Sequence, residues 1–403
     1  MEPHEILAYI RKALQANYYT NFAVELEGKT KKNEGYVSDM IFAKIRLADT
    51  GKNLHLAIKF SKKSLRKFEV YKNIYKHELL FYTDILELFN EHQIKQNVSQ
   101  PFHAVPKCFA TFSDENADTV FLDNLYKHGF VVRDRNLSMD LTHLELLMKT
   151  FAKFHALSLS LKEQQNKSFL KLLEDDFITK KNTVADFGLQ DFFNTSVLKV
   201  ANILKGAKRT DLSAKFEALL EKGMPKIISD ILNDTPEKSV IIHCDGHNNN
   251  IMFKYKDNNK ENPHDMVIVD WQIVKYHSPV LDLSYTLYAV ASKPEISETT
   301  ALLKYYHEEL TNFLTELGNN ANSLFPFSLL MDHWRKYAIY GFANACCYID
   351  FNFVNPDDAP SLDNLDDISS VSENLSVINL GNNQMYTERL IAIVEHYFNN
   401  INL

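Results

Sequence analysis

One stretch limits the choice of fold more than any other: Val240-Ile241-Ile242-His243-Cys244-Asp245-Gly246-His247-Asn248-Asn249-Asn250-Ile251-Met252-Phe253. Its apolar ends read as buried strands and its polar middle as the loop joining them. A third apolar run, Met266 to Val269, closes on Asp270-Trp271-Gln272, and the turn-rich segment from Lys254 to Asp265 connects the two. The unit is therefore strand, polar loop, strand, turn, strand ending in an acid. It needs a large body around it to bury three apolar runs. A chain of 403 residues supplies that, with core enough for two lobes.

The loop has the spacing His-x-Asp-x-x-x-x-Asn, which lets one segment serve both ends of a phosphoryl transfer. The carboxylate of Asp245 can orient an attacking hydroxyl and accept its proton. The amide oxygen of Asn250 can reach the cation that neutralises phosphate charge. Asp270, at the next strand end, offers that cation a second oxygen, and two such ligands with phosphate and water suit Mg²⁺. His243 reads as a brace for the loop, and Asp282, opening the apolar stretch after Ser278-Pro279, as an anchor for backbone. Asparagines alone would pass as a polar turn. The whole succession of elements is what favours a kinase site.

The rest of the chain divides around this unit. Tyr36 to Ala48 and Leu54 to Phe60 read as strands joined by a turn at Asp49-Thr50-Gly51-Lys52-Asn53. Helical spacing from Ser64 to Glu91 predicts one long helix, followed by strands Phe109 to Phe112 and Thr119 to Leu125. These supply four strands of an expected small lobe of five short strands and a helix, residues 1–125. The fold class is α+β, with this nucleotide-binding lobe ahead of a larger, mainly helical catalytic and substrate-binding lobe, residues 126–403. Helices are expected at Leu141 to Leu161, Ser213 to Leu232, Ala301 to Leu317, Phe327 to Tyr348 and Glu388 to Phe398. The Asn-, Asp- and Ser-rich stretch Phe351 to Asn382 reads as a long surface loop.

Lys59, on the strand after the hairpin, matches a lysine that reaches nucleotide phosphates. A carboxylate on the following helix must hold it; Glu69 and Glu78 are both available, and the context His77-Glu78-Leu79-Leu80-Phe81-Tyr82 favours Glu78. No G-x-G-x-x-G occurs, and Glu34-Gly35-Tyr36-Val37-Ser38 is the candidate phosphate-covering turn. That difference argues against a protein kinase. A net charge of −8 disfavours nucleic acid. The four cysteines have neither disulfide nor zinc spacing. With no apolar run of membrane-spanning length and no signal-peptide pattern, the expected location is cytoplasmic, with no membrane and no protein partner.

Taken together, these residues resemble the ecdysteroid kinase-like family of the aminoglycoside and choline kinase superfamily. The resemblance rests on His243 to Phe253, Val269-Asp270-Trp271-Gln272 and Ser278 to Leu283. It rests also on Phe121-Leu122-Asp123-Asn124-Leu125 with Gly129-Phe130, and on Phe151-Ala152-Lys153-Phe154-His155-Ala156. It implies a two-lobed protein-kinase-like fold with ATP between the lobes, Asp245 as base, and Asn250 and Asp270 on Mg²⁺. It further implies that Phe121 to Leu125, with Asp123, is the hinge whose backbone meets adenine. The acceptor it implies is a hydroxylated small molecule, an ecdysteroid or a foreign compound. The chain departs from the family at Cys244, usually Gly, at Gly246-His247, usually Leu-Trp, at Trp271, usually Phe, and at Asp123-Asn124, usually Glu-Asp. A choline- or aminoglycoside-type kinase and a silent ligand-binding pseudokinase are the alternatives. The stripe Trp334, Tyr337, Ala338 and Gly341 is the expected acceptor wall, where small residues among aromatics leave room.

Overall fold

The computed structural model describes residues 2–29, 37–174, 176–179, 183–355, 358–363, 365–378, 380 and 383–400. The candidate turn at Glu34-Gly35-Tyr36 lies outside them. Five strands, β1 (Phe22–Lys29), β2 (Ser38–Leu47), β3 (Asn53–Ser61), β4 (Cys108–Ser113) and β5 (Asp118–Asp123), form an antiparallel sheet in the order β1-β2-β3-β5-β4. The helix Pro3–Ala16 lays Ile6, Ile10 and Leu14 into a core shared with Ala43, Ile45, Leu56, Ile58 and Phe121. The strand not placed from sequence is β1. It is an edge strand, exposed over most of its length, with a bulge between Leu26 and Gly28, so no apolar alternation marks it.

The single long helix expected from Ser64 to Glu91 is instead a series of pieces. Lys63–Arg66 is a short turn, Phe68 is extended (φ −99°, ψ 125°), and Glu69–Leu80 is the main helix. A π-helical turn, Phe81–Ile85, then leads into Leu86–Lys95. The apolar period runs through all of them because every piece faces the same core. The π turn is where Phe81 stacks flat on Trp271, with centroids 3.9 Å apart and planes 4° from parallel.

Most of the remainder is helical. Leu141–Glu163, Thr299–Glu316 and Phe327–Tyr348 match the expected helices, and Gln384–Asn400 contains the last. Ser213 to Leu232 is corrected to two helices, Thr210–Leu220 and Met224–Asn233, because Gly223 takes φ +77° and Pro225 follows it. Among the helices lie β6 (Val131–Val132), β7 (Val240–Ile242), β8 (Ile251–Tyr255), β9 (Pro263–Ile268) and β10 (Lys275–His277). They pair as β6-β8-β9 and β10-β7. The β8–β9 register puts Ile251 opposite Ile268, so the catalytic-type loop and Asp270 leave the sheet side by side.

The stretch Phe351 to Asn382 is not a surface loop over its described residues. Val354, Leu362, Leu365, Val371, Leu375 and Ile378 are buried, and Ser370–Leu375 is helical. The polar residues that suggested a loop serve as turns and caps between these anchors. The segment also grips the N-terminal lobe. Asp363 takes Lys62 Nζ at 2.7 Å, the Leu362 carbonyl accepts from Ser64 Oγ at 2.9 Å, and the Asp366 carbonyl accepts from Lys67 Nζ at 3.0 Å.

Candidate active site

The loop after β7 is seated on the wholly buried helix Val280–Val290. Asp282 does most of the seating: Oδ2 accepts from the His243 amide at 2.8 Å and Oδ1 from the Cys244 amide at 2.6 Å. His155 Nε2 meets the same carboxylate at 3.1 Å, with Tyr306 Oη on its Nδ1 at 2.9 Å. Gly246 presses against this helix as well. A Cβ there would meet Thr286 Oγ1 at 2.1 Å, so the leucine usual in the family has no room while Thr286 stands opposite. Asp282 is thus an anchor for backbone.

His243 links the two strand ends. Its Nδ1 accepts from the Asp245 amide at 3.2 Å, which assigns the ring proton to Nε2, and Nε2 donates to the Val269 carbonyl at 3.0 Å. Trp271 packs edge-on to the imidazole at 4.6 Å and donates Nε1–H to the Ile268 carbonyl at 3.1 Å. The brace therefore sets the distance between Asp245 and Asp270.

Asp245, Asn250 and Asp270 all line one cleft. Asn250 Nδ2 donates to the Asp245 carbonyl at 3.0 Å and to its Oδ2 at 2.9 Å. With the amide nitrogen so used, Asn250 Oδ1 could meet a cation, and Asp245 Oδ1 could accept from a hydroxyl. His247, which sequence reasoning registered only as a departure, stands 3.5 Å from Asp245 Oδ2 and 3.2 Å from Asn250 Nδ2. Burial would raise the Asp245 carboxyl, but His247, His243 and the Asn250 donor outweigh it and hold it below the ordinary range. Burial opposes a charge on His247 too, and Asp245 overrides it, so the imidazole is raised.

Lys59 of β3 completes the cluster from the other lobe. Its ammonium lies 2.8 Å from Glu78 and 2.7 Å from Asp270. Of the two carboxylates weighed, Glu78 makes the contact; Glu69 is on the surface beside Lys72. Burial works against the Lys59 charge, yet Asp270 and Glu78 together raise its affinity for the proton. Burial pushes Glu78 upward against the pull of Lys59. Two hard oxygen donors, Asn250 Oδ1 and the Asp270 carboxylate, fit Mg²⁺ completed by phosphate and water. Among the described residues no group of three or more His, Cys, Asp or Glu side chains could hold a metal.

The cleft has a volume of about 530 Å³ and two unlike ends. At one, Ala57, Lys59, Met252, Val269 and residues Leu122 to Tyr126 form the wall. The expected hinge, Phe121 to Leu125, runs along this end, with Leu122, Asp123, Asn124 and Leu125 in the lining. Phe121 is fully buried in the N-terminal core and does not line the cleft. An alternating strand sends neighbouring side chains to opposite faces, so Leu122 faces the cleft instead. Asp123 lines it, with its carboxylate 2.9 Å from His128, and Leu125 lines it also.

The other end is aromatic and apolar, with Phe193, Tyr285, Tyr340, Tyr348 and Leu375 among its lining. The expected wall of Trp334, Tyr337, Ala338 and Gly341 is corrected here, since none of the four reaches the cleft. Gly341 lets two helices touch: a Cβ on it would lie 2.2 Å from the Ser284 carbonyl carbon. Tyr337 turns its hydroxyl to the Asp234 carbonyl at 3.2 Å. The next stripe of the same helix, Tyr340, Asn344, Ala345 and Tyr348, faces the cavity instead. Among the described residues the carboxylates of the lining are Glu78, Asp123, Asp245 and Asp270, and Lys275 is a lining cation near Cys244.

No curated protein matches the chain. Among 117 matching solved chains is the GDP complex of a mutant aminoglycoside 2'-phosphotransferase, 12% identical over 98% of each chain with a TM-score of 0.39. The model of the ecdysteroid kinase-like family matches residues 32–319, and the chain belongs to that family.

Proposed function

We propose that the chain is an ATP-dependent phosphotransferase that phosphorylates a hydroxyl of a small, largely apolar molecule, an ecdysteroid or similar sterol first among them. Its family makes it a kinase-like phosphotransferase of small molecules. The observation that carries the finer reading is the setting of Asp245, whose Oδ2 takes Asn250 Nδ2 at 2.9 Å on one side while its neighbour Cys244 meets the Tyr340 hydroxyl at 3.0 Å on the other. Bound Mg-ATP supplies the phosphoryl group and the charge that neutralises it. Lys59, held by Glu78, would meet the phosphate oxygens of the bound nucleotide. Asp270 and Asn250 Oδ1 hold Mg²⁺, and the main chain of Asp123 and Leu125 receives the adenine. Asp245 Oδ1 orients the acceptor hydroxyl and takes its proton as phosphoryl transfer proceeds, while Asn250 secures Oδ2.

A cationic acceptor such as choline or an amino sugar would call for carboxylates around the aromatic end. Asp245 is the carboxylate beside Cys244 and Tyr340, and Lys275, whose hold on its proton is lowered by burial, lies near Cys244. The described part of the acidic stretch Asp350 to Asp367 does not change this. Asp350 is engaged by Lys199 at 2.6 Å and Asp363 by Lys62. Retention of Lys59, Asp245, Asn250 and Asp270 argues against a silent pseudokinase. No helix among the described residues is long and apolar enough to cross a membrane. The cytoplasm remains the proposed location, with no nucleic-acid or protein partner.

The test is a phosphate-transfer screen of the purified protein with Mg-ATP against hydroxylated sterols, choline analogues and plant glycosides. The expected result is a sterol product heavier by one phosphoryl group, lost in Asp245→Asn. Products from choline alone would replace this reading with the amino-alcohol one.

A further inference from the structure

Two non-glycine residues of the cleft have positive φ: Asp270 at +67° and Cys244 at +71°. For Asp270 the conformation has a visible use, because the carboxylate reaches Lys59. For Cys244 the backbone alone gives no such reason. Its amide bond to Asp282 could be made by any residue except proline, and glycine would take this φ without crowding. An outlier kept at a working site points to a task for the side chain.

That side chain lies where selectivity would be decided. Cys244 is buried, immediately precedes Asp245 and lines the cavity. Its Sγ is 3.0 Å from Tyr340 Oη, and the same hydroxyl is 3.5 Å from the Cys244 carbonyl. Tyr340 in turn meets Tyr285 edge-on at 6.5 Å, and both rings form the aromatic end. Burial pushes the thiol up to about 12, so it stays protonated and acts by shape and hydrogen bonding rather than as a nucleophile.

We infer that Cys244 is a specificity-determining residue whose side chain narrows the acceptor end beside Asp245 and holds the Tyr340 ring against the loop. The acceptors it favours carry the reacting hydroxyl on an uncrowded carbon, primary or secondary; hydroxyls beside a quaternary carbon are turned away. This rests on the phosphotransferase reading above, and on the aromatic end being the acceptor end.

The test compares wild type, Cys244→Gly, Cys244→Ser and Tyr340→Phe with two isomeric neutral sterols. One bears a primary side-chain hydroxyl, the other a secondary hydroxyl beside a quaternary carbon. A contact of this size decides selectivity by about tenfold. Cys244→Gly should move the ratio of kcat/KM that far toward the crowded isomer, with KM for ATP unchanged. Tyr340→Phe should move it the same way by less, and Cys244→Ser, which keeps shape and hydrogen bond, should keep the wild-type ratio. An unchanged ratio in Cys244→Gly, or an equal loss on both sterols, overturns the inference. If wild-type protein phosphorylates neither sterol, the kinase reading fails separately. Each sterol's shift of Tm across the same variants then measures selectivity, and equal shifts in wild type and Cys244→Gly overturn the inference by that route.

Discussion

The two walls of the cleft are built in opposite ways. The wall bearing Lys59, Asp245, Asn250 and Asp270 is built from β3 and from the segments that join or follow β7, β8 and β9, with polar atoms paired at 2.7 to 3.2 Å. The aromatic part of the lining is assembled from helices far apart in the chain, which contribute Phe193, Tyr285, Tyr340 and Leu375. The difference separates two tasks. Charge must be placed to within tenths of an ångström for chemistry, so it is held by short, stiff connections. An apolar acceptor needs shape, which packed helices supply and can vary without disturbing the chemistry.

Removing charge from the first wall should therefore have the largest effect, and on nucleotide and turnover. Asp270→Ala should abolish Mg²⁺-dependent nucleotide binding in a titration with Mg-ATP, whereas Asn250→Ala, which deletes a neutral ligand, should only weaken it. Wild-type binding by Asp270→Ala would take Asp270 out of the metal site. Next, Asp245→Asn should leave folding and ATP binding nearly intact and lower turnover by at least about 10²-fold, the scale of a positioned base. Unchanged turnover would remove Asp245 from the mechanism.

Changes to the second wall should touch the acceptor alone. Asn344 lines the cavity and donates Nδ2 to the Tyr340 carbonyl at 2.9 Å. Asn344→Asp should raise KM for a neutral sterol several-fold while KM for Mg-ATP stays put, and steady-state kinetics in both substrates checks it. Equal effects on both constants would mean that the walls are not separable.

The smallest response near neutrality is to acid. His277, His333 and His396 lie in the helical lobe, and burial holds each at about 4 against an ordinary 6.5. They stay neutral in the folded chain while the unfolded chain takes up protons first. Stability is thus fully present above pH 6.5 and is lost as pH falls from there toward 4. A urea midpoint by a helix-lobe probe should fall between pH 7 and pH 5. A constant midpoint would contradict the buried, neutral state of these side chains.

How far each wall could be read from sequence follows from the same contrast. Asp245, Asn250 and Asp270 lie within one unit of strand, loop, strand, turn and strand, so its succession put them together, and Glu78 was favoured over Glu69 by its context His77 to Tyr82. Phe121 was expected at the hinge through its main chain, and strand alternation sends its side chain into the core while Leu122 turns toward the cleft. The acceptor wall was assigned to the wrong face of Phe327–Tyr348, since Gly341 opens space that the Ser284 backbone fills. Nothing local reveals which neighbour a helix face will meet. The edge strand β1 and the buried stretch after Phe351 escaped for a related reason: one lacks an apolar face, and the other hides its anchors among polar residues.

The most direct test of a charged catalytic wall facing an apolar acceptor wall is a side-by-side assay with Mg-ATP, an ecdysteroid and choline, each product identified by mass. The account predicts a phosphorylated sterol and no phosphocholine. Phosphocholine with no phosphorylated sterol would contradict it.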